Sequence, residues 1–235
     1  MKYQFTFIFI ISIIIGNEVP FQVGERLIYT AKFNIVPSGT ASLEVVGNDE
    51  INGNETFHVR FKASTNPTLD RLYKLRDQVD IWMDTDDLYT HKLKKNIREG
   101  NYHKKILTIM DYQNSLAVIN NDSVKIDGFV RDPYSLFYYL RSIPLEVGQL
   151  LDFTSFENKK TTSFQLSVSN IEDVRTDLGK FECLLVKPFR KGKPLFKNEG
   201  DMKIWFSNDE RKLPVQIQIK LKFGSMLLKL NKIKN

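Results

Sequence analysis

Three histidines, one cysteine and a set of carboxylates at turn-like positions are the residues from which an active site would have to be built in this chain. His58, His91 and His103 form no pair at i, i+2 or i+4, and none neighbours Cys183, so local spacing offers no transition-metal pair. All three are expected at the surface: His58 lies on the polar face of its segment, and His91 and His103 flank lysine-rich sequence. Cys183 has no second thiol to pair with. In Phe181-Glu-Cys-Leu-Leu-Val186 it alternates with Glu182, which points it into a core beside Phe181 and Leu185 as an inert thiol. There is no Gly-x-Ser-x-Gly elbow, no Ser-x-x-Lys pair opening a helix and no glycine-rich phosphate loop, so serine hydrolase and nucleotide chemistry have no motif here. Asp77, Asp80, Asp84, Asp86, Asp87, Asp209 and Glu210 remain. Asp84-Thr-Asp-Asp87 resembles part of a calcium loop but lacks its Gly and terminal Glu. Turn chemistry explains Asp84, Asp86 and Asp209 better, because Asx side chains bond back to the turn backbone. A glycosidase needs two opposed carboxylates, and nothing in the spacing selects two. No catalytic residue, metal or cofactor is assigned.

The elements that would carry such groups have a period of two. Leu27, Tyr29, Ala31 and Phe33 alternate with polar residues, as do Phe57, Val59, Phe61 and Ala63, and Val215, Ile217, Ile219 and Leu221. One apolar and one polar face per segment predicts antiparallel strands with one side on a core. Residues 105–110 and 115–119 come nearest to strands apolar on both faces. Turn-formers recur at short intervals, so the connections are those of a meander. Two stretches break this rhythm. Asn66 and Pro67 open a short helix with Leu69, Leu72, Tyr73 and Leu75 at helical spacing, whereas residues 191–197 read as a loop. Asp132 caps a second helix over 133–142, with Pro133 at its first position and Pro144 after its end.

Residues 20–29 and 144–153 read almost alike at an offset of 124. Phe57 and Gly100 fall on Phe181 and Gly224 at the same offset, and Ile81-Trp82 and Asp86 fall on Ile204-Trp205 and Asp209 at 123. The chain is therefore expected to hold two related β units, 17–112 and 144–235, joined by a hairpin and helix over 113–143. Each unit alone would expose an apolar sheet face, so curved sheets or half-barrels packed into one sandwich- or barrel-like body are predicted. The aromatic helix is either a plug for that body or a ligand-contacting element. On the second reading Tyr73, Leu136, Phe137, Tyr138 and Tyr139 are the candidate ligand-binding residues.

Met1-Lys2, the apolar run Phe5–Ile15, Gly16 and the polar Asn17-Glu18 follow the pattern of a secretory signal over 1–16. The run falls short of the ~20 residues of a membrane span, so no stable span is expected after cleavage. No cysteine near it could take a lipid anchor. The expected location is outside the cytoplasm, in a bacterial periplasm. Net charge is +6, with lysines scattered along the chain, which does not suggest nucleic-acid binding. A mildly basic C-terminus, 229–235, reads as solvated lysines on a strand face before it reads as a site for anionic lipid or glycan.

Val23-Gly-Glu-Arg-Leu-Ile-Tyr29, Gly39-Thr-Ala41, Tyr73-Lys-Leu-Arg-Asp77, Asp132-Pro-Tyr-Ser-Leu-Phe-Tyr-Tyr-Leu-Arg141 and Ile204–Val215 together resemble the DUF3108 family, exported bacterial proteins of unknown function. The resemblance spans about 20–230. It implies a β-rich periplasmic domain and no catalytic residue. The function expected is non-enzymatic: binding of an apolar, lipid-like or amphipathic ligand. The alternatives are a structural or adaptor role with an envelope protein partner and, third, an enzyme acting on envelope glycan.

Overall fold

Alternating segments become strands wherever their apolar face finds a core. In the computed structural model, which describes residues 19–190 and 201–235, they do so fourteen times. The expected signal segment and the loop read at 191–197 lie outside the described residues. The first six strands are β1 (Arg26–Phe33), β2 (Val36–Ile51), β3 (Asn54–Thr65), β4 (Arg76–Asp84), β5 (Thr90–Glu99) and β6 (Tyr102–Asp111). A single helical turn, α1 (Pro67–Asp70), separates β3 from β4. A hairpin, β7 (Leu116–Ile119) and β8 (Asp122–Lys125), and then helix α2 (Ser135–Ser142) follow. The last six are β9 (Leu150–Glu157), β10 (Lys160–Thr176), β11 (Gly179–Phe189), β12 (Asp201–Ser207), β13 (Pro214–Leu221) and β14 (Gly224–Lys234).

All fourteen strands form one antiparallel sheet in the order β8-β7-β6-β5-β4-β3-β2-β1-β14-β13-β12-β11-β10-β9, which is not closed. The first and last strands pair in its middle, from Arg26 opposite Lys234 to Phe33 opposite Met226. The fold is thus the mainly β antiparallel meander read from the sequence.

Residues matched by the sequence offset make matching bonds. Gly24 N–H donates to Val45 O (2.8 Å) and Val45 N–H to Glu25 O (2.8 Å); Gly148 N–H donates to Val168 O (2.8 Å) and Val168 N–H to Gln149 O (3.0 Å). Both glycines have positive φ, 96° and 89°, a conformation that glycine adopts without the backbone strain a Cβ would bring. Bulges fall between Val45 and Gly47 and between Val168 and Asn170, and again after Trp82 and after Trp205. The Trp82 indole donates to Asp49 Oδ2 (2.8 Å), and the Trp205 indole to Glu172 Oε2 (2.7 Å).

Helix α2 packs inside the curled sheet. Tyr138 belongs to a core with Leu27, Val45, Val59 and Ile81, while Leu136 and Leu140 belong to a second core with Phe153, Leu166 and Phe206. Asp132 Oδ1 accepts from the backbone N–H of Tyr134 (2.7 Å) and Ser135 (3.2 Å) and so caps the turn that leads into the helix, which begins at Ser135, two residues later than the sequence suggested. At the far end Arg141, 1% exposed, forms two bonds to Glu25 (2.6 and 2.8 Å) and donates to Pro20 O (2.9 Å) and Arg211 O (3.1 Å). The helix is tied in this way to the opening turn of the first unit and to the β12–β13 turn.

Two expectations change here. The strands buried on both faces are β4, β11 and β12, not 105–110 and 115–119, where Leu107 and Val118 reach solvent. Cys183 and Leu185 face one core and Leu184 and Val186 the other, so β11 runs between the two. His91 is buried, 4% exposed, against Tyr89 and Tyr112, because β5 here passes beneath the β4–β5 turn and Phe129.

Candidate functional site

In the fourteen-stranded sheet, β1–β6 and β9–β14 could meet in two places. One, β14 on β1, is fully paired. At the other, β6 does not reach β9. Between them stand the β7–β8 hairpin and the segment leading to α2, joined to β9 by a parallel bridge from Arg131 to Ser155. A cleft of about 460 Å³ opens along this seam.

Its floor is apolar. Leu93 from β5, Ile106 from β6, Ile119 from β7 and Phe156 from β9 line it. Phe156 also enters a third core with Met110, Ala117, Ile126 and Val130, and so joins the two edges by packing where the backbone does not. Its mouth is charged. Lys95 is only 9% exposed and donates to Glu157 Oε1 at 2.9 Å, with its Nζ 5.9 Å from the centre of the Tyr134 ring. A lysine so enclosed is tolerated because it is paired. Lys159, in the β9–β10 turn, bonds Asp122 at the start of β8 and thereby straddles the seam. Asn158 and Lys159 both have positive φ, 51° and 63°, as a two-residue hairpin turn of this hand requires. Lys104 lines the cleft as well.

Electrostatically the mouth is suited to holding a charge more than to moving a proton. The Lys159 ammonium holds the Asp122 carboxyl below its usual range, first by their hydrogen bond and then by charge. Burial pushes the Tyr134 phenol well up. Among the described residues the one carboxyl pushed upward is elsewhere: Glu99, at the end of β5, is raised by burial and by the neighbouring Asp77. Among the described residues no three His, Cys, Asp or Glu side chains gather at metal-binding distance. Asp84 Oδ1 accepts from the N–H groups of Asp86 (3.0 Å) and Asp87 (2.9 Å), and Asp209 Oδ1 from those of Arg211 and Lys212 (3.2 Å each), so both turns use their acids as the sequence suggested. On the outer face, burial raises the Asp80 carboxyl, but hydrogen bonds from Gln78, His58 and Arg60 outweigh it and hold the group low. The Cys183 thiol is buried, and burial pushes it up to about 12.

The sequence-selected residues do not come together. Leu136 and Tyr138 are packed into the two cores, and Phe137 and Tyr139 are half-buried, Tyr139 between the Arg131 guanidinium (3.8 Å) and the Phe153 ring (5.4 Å). Tyr73 stands apart from the helix, its ring over Gly100 at the β5–β6 turn. None of the five lines the seam cleft. Sequence reading missed the cleft residues because Leu93, Ile106 and Phe156 look like ordinary core positions. One signal was available: residues 113–143 follow β6, the match of β14 by the sequence offset, and stand between it and β9.

The architecture has a solved counterpart. The chain is similar to the beta-barrel-like protein of domain of unknown function DUF1849 from Brucella abortus, with a TM-score of 0.59 and 12% identity over 90% of this chain and 97% of that one. That likeness shows the fold alone. A putative lipoprotein from Parabacteroides distasonis aligns with a TM-score of 0.41 and 11% identity over 91% of this chain and 96% of that one. No curated relative matches. Among the described residues no helix is long and apolar enough to cross a membrane. The profile of DUF3108, a protein of unknown function, matches residues 28–231, from β1 into β14, and the chain therefore belongs to the DUF3108 family.

Proposed function

We propose that this protein is an exported, periplasmic envelope component, composed of a duplicated six-stranded unit, that holds a single-chain amphiphile with an anionic head in the seam cleft. One observation carries this reading: an apolar floor of Leu93, Ile106, Ile119 and Phe156 lies beneath Lys95, Lys104 and Lys159, at the place where the sheet is open. The volume falls within the ~300–1,000 Å³ of small-molecule sites, and few polar groups orienting a mostly apolar body is how such sites recognise ligands. The matched turns, bulges and indole bonds support the two units; the insertion of 113–143 between them supports the cleft as the product of their unequal joining.

The test is titration of a fatty acid and of a lysophosphatidylglycerol into the delipidated protein, followed calorimetrically. Ile106→Glu should lower affinity at least tenfold, because it places a charge in the floor. Wild type that binds neither compound at millimolar concentration, and releases no amphiphile in native mass spectrometry, sinks the reading. The sequence-selected residues enter as a second candidate lining, tested by the same titration on Phe137→Ala and Tyr139→Ala.

An adaptor role is favoured by a different observation. β9 is an edge strand, and its first residues, from the exposed Leu150 onward, bond only to β10. Such an edge accepts an added strand. Crosslinking from Leu150 in cells should give one recurrent protein partner on that reading.

A further inference from the structure

The strand directions sort the turns into two ends. The β1–β2 turn, the α1–β4 connection, the β5–β6 turn and the β13–β14 turn all lie at one end of the sheet. Direct bonds make them a continuous rim. Asn34 N–H donates to Ser225 O (2.7 Å), Asn66 Nδ2 to Pro37 O (2.8 Å) and Gly100 N–H to Lys74 O (2.8 Å).

Turn tips in water are normally polar, and the turns after β2, β4 and β6, at the opposite end, obey this. In or beside them stand Asp49, Glu50, Asp84, Asp86, Asp87 and Asp111, although Val23, Val147 and Leu150, before and at the starts of β1 and β9, are exposed at that end as well. The rim does the reverse. Ile35 is 88% exposed, Leu72 85% and Phe223 84%, and Val36, Tyr73 and Tyr102 are about half exposed. Around them stand Lys32, Arg71, Lys74, Lys104 and Lys222, the last with its ammonium 5.6 Å from the centre of the Phe223 ring. Single exposed apolar residues are commonplace. Here each of four adjoining turns presents at least one, and the cations around them outnumber the rim acids Asp70 and Glu99, of which Asp70 is paired with Arg76.

We propose that this rim docks on an anionic lipid bilayer, with Ile35, Leu72 and Phe223 entering the headgroup–acyl boundary and the lysines and arginines facing lipid phosphates. Separate apolar fingers on separate turns suit a soft surface that closes around each one; a protein partner would need a continuous patch. The charge asymmetry of the two ends orients the molecule before contact. Docking also turns toward the bilayer the end at which the β9–β10 turn, with Lys159 of the cleft, is placed. This goes beyond the proposed ligand site and does not depend on it, since none of the three tips lines the cleft.

The test is co-sedimentation of the full chain with vesicles of phosphatidylethanolamine and phosphatidylglycerol, and with vesicles of phosphatidylcholine alone. Ile35→Ser/Leu72→Ser/Phe223→Ser is compared with wild type; both share any N-terminal segment, so their difference reports the rim. Each tip withdrawn from lipid should cost roughly tenfold in partitioning, from the transfer of its side chain. The triple variant should therefore lose at least a hundredfold on the anionic vesicles while melting at the wild-type temperature. Wild-type binding should weaken as salt rises. Equal sedimentation of wild type and variant overturns the proposal, as does equal binding to neutral vesicles or no binding at all. Tip-dependent capture of a protein with no vesicle binding overturns it in favour of a protein partner.

Discussion

Arg141→Met tests how the plug helix is held. Arg141 is buried, paired through both its Nη atoms with Glu25, and donates to two backbone carbonyls, Pro20 O and Arg211 O. Methionine fills much of the same volume but leaves the Glu25 carboxylate enclosed without a partner. Removing one member of such a pair costs about 3–5 kcal/mol, chiefly through the charge left behind. For a chain of this size each kcal/mol lowers the melting temperature by about 2–4 °C, so a drop of roughly 6–20 °C is expected. Glu25→Leu combined with Arg141→Met removes that stranded charge and should recover a large part of the loss. What remains is the two unsatisfied carbonyls, about 1–3 kcal/mol each if fully desolvated. Urea denaturation followed by circular dichroism gives all the stabilities needed for the cycle. A single-variant cost below about 1 kcal/mol, or a double variant equal to the sum of its singles, refutes the reasoning, because the pair would then not be the fastening.

Phe156→Ala should cost about 3–5 kcal/mol in the same denaturation experiment, since it empties the apolar contact that spans the open seam. Tyr29→Phe should be neutral or stabilising by up to ~2 kcal/mol, because the buried Tyr29 hydroxyl has no protein partner among the described residues. For Glu99→Gln the sign follows from a raised carboxyl: the acid form is favoured in the folded protein, so its contribution is present at low pH and lost as pH rises through the raised value. The variant should therefore be more stable than wild type near neutrality and lose that advantage under acid, as pH-dependent melting curves would show. Cys183 should react with a thiol reagent only at the rate of unfolding, and labelling within seconds in the native protein would contradict its burial.

Much of the fold is written locally. Alternation at Leu27–Phe33 and Val215–Leu221, the cap at Asp132 and the Asx turns at Asp84 and Asp209 each depend on a few adjacent residues, and each appears where the chain announces it. The offset pattern is readable because Gly24 and Gly148, and the bulges after Val45 and Val168, carry the same backbone constraint. What was not legible depends on distant pairing. Nothing near Leu184 says that β11 will separate two cores, and nothing near Phe156 says that its strand will lack an outer partner. His91 was expected at the surface, but its exposure is decided by Tyr112 and Phe129, which arrive from other turns. The rim left a sequence signal that alternation obscures: Ile35, Leu72 and Phe223 are apolar residues in connections, where polar ones are usual.

The pairing of β1 with β14 also sets an order of events. Thr30 and Lys229 are bonded neighbours although 199 residues separate them. As the chain leaves the ribosome or a translocation pore, β1 can find β2 at once, but its other edge stays bare until the final strand appears. During that interval a strand buried on one face presents unpaired N–H and C=O groups, the condition under which chains join edge to edge. Contacts this distant also slow the search for the native pairing. The eleven residues of β14 are then what ends the exposure, and a chain cut short before Gly224 would keep in its middle an edge as open as those at its ends.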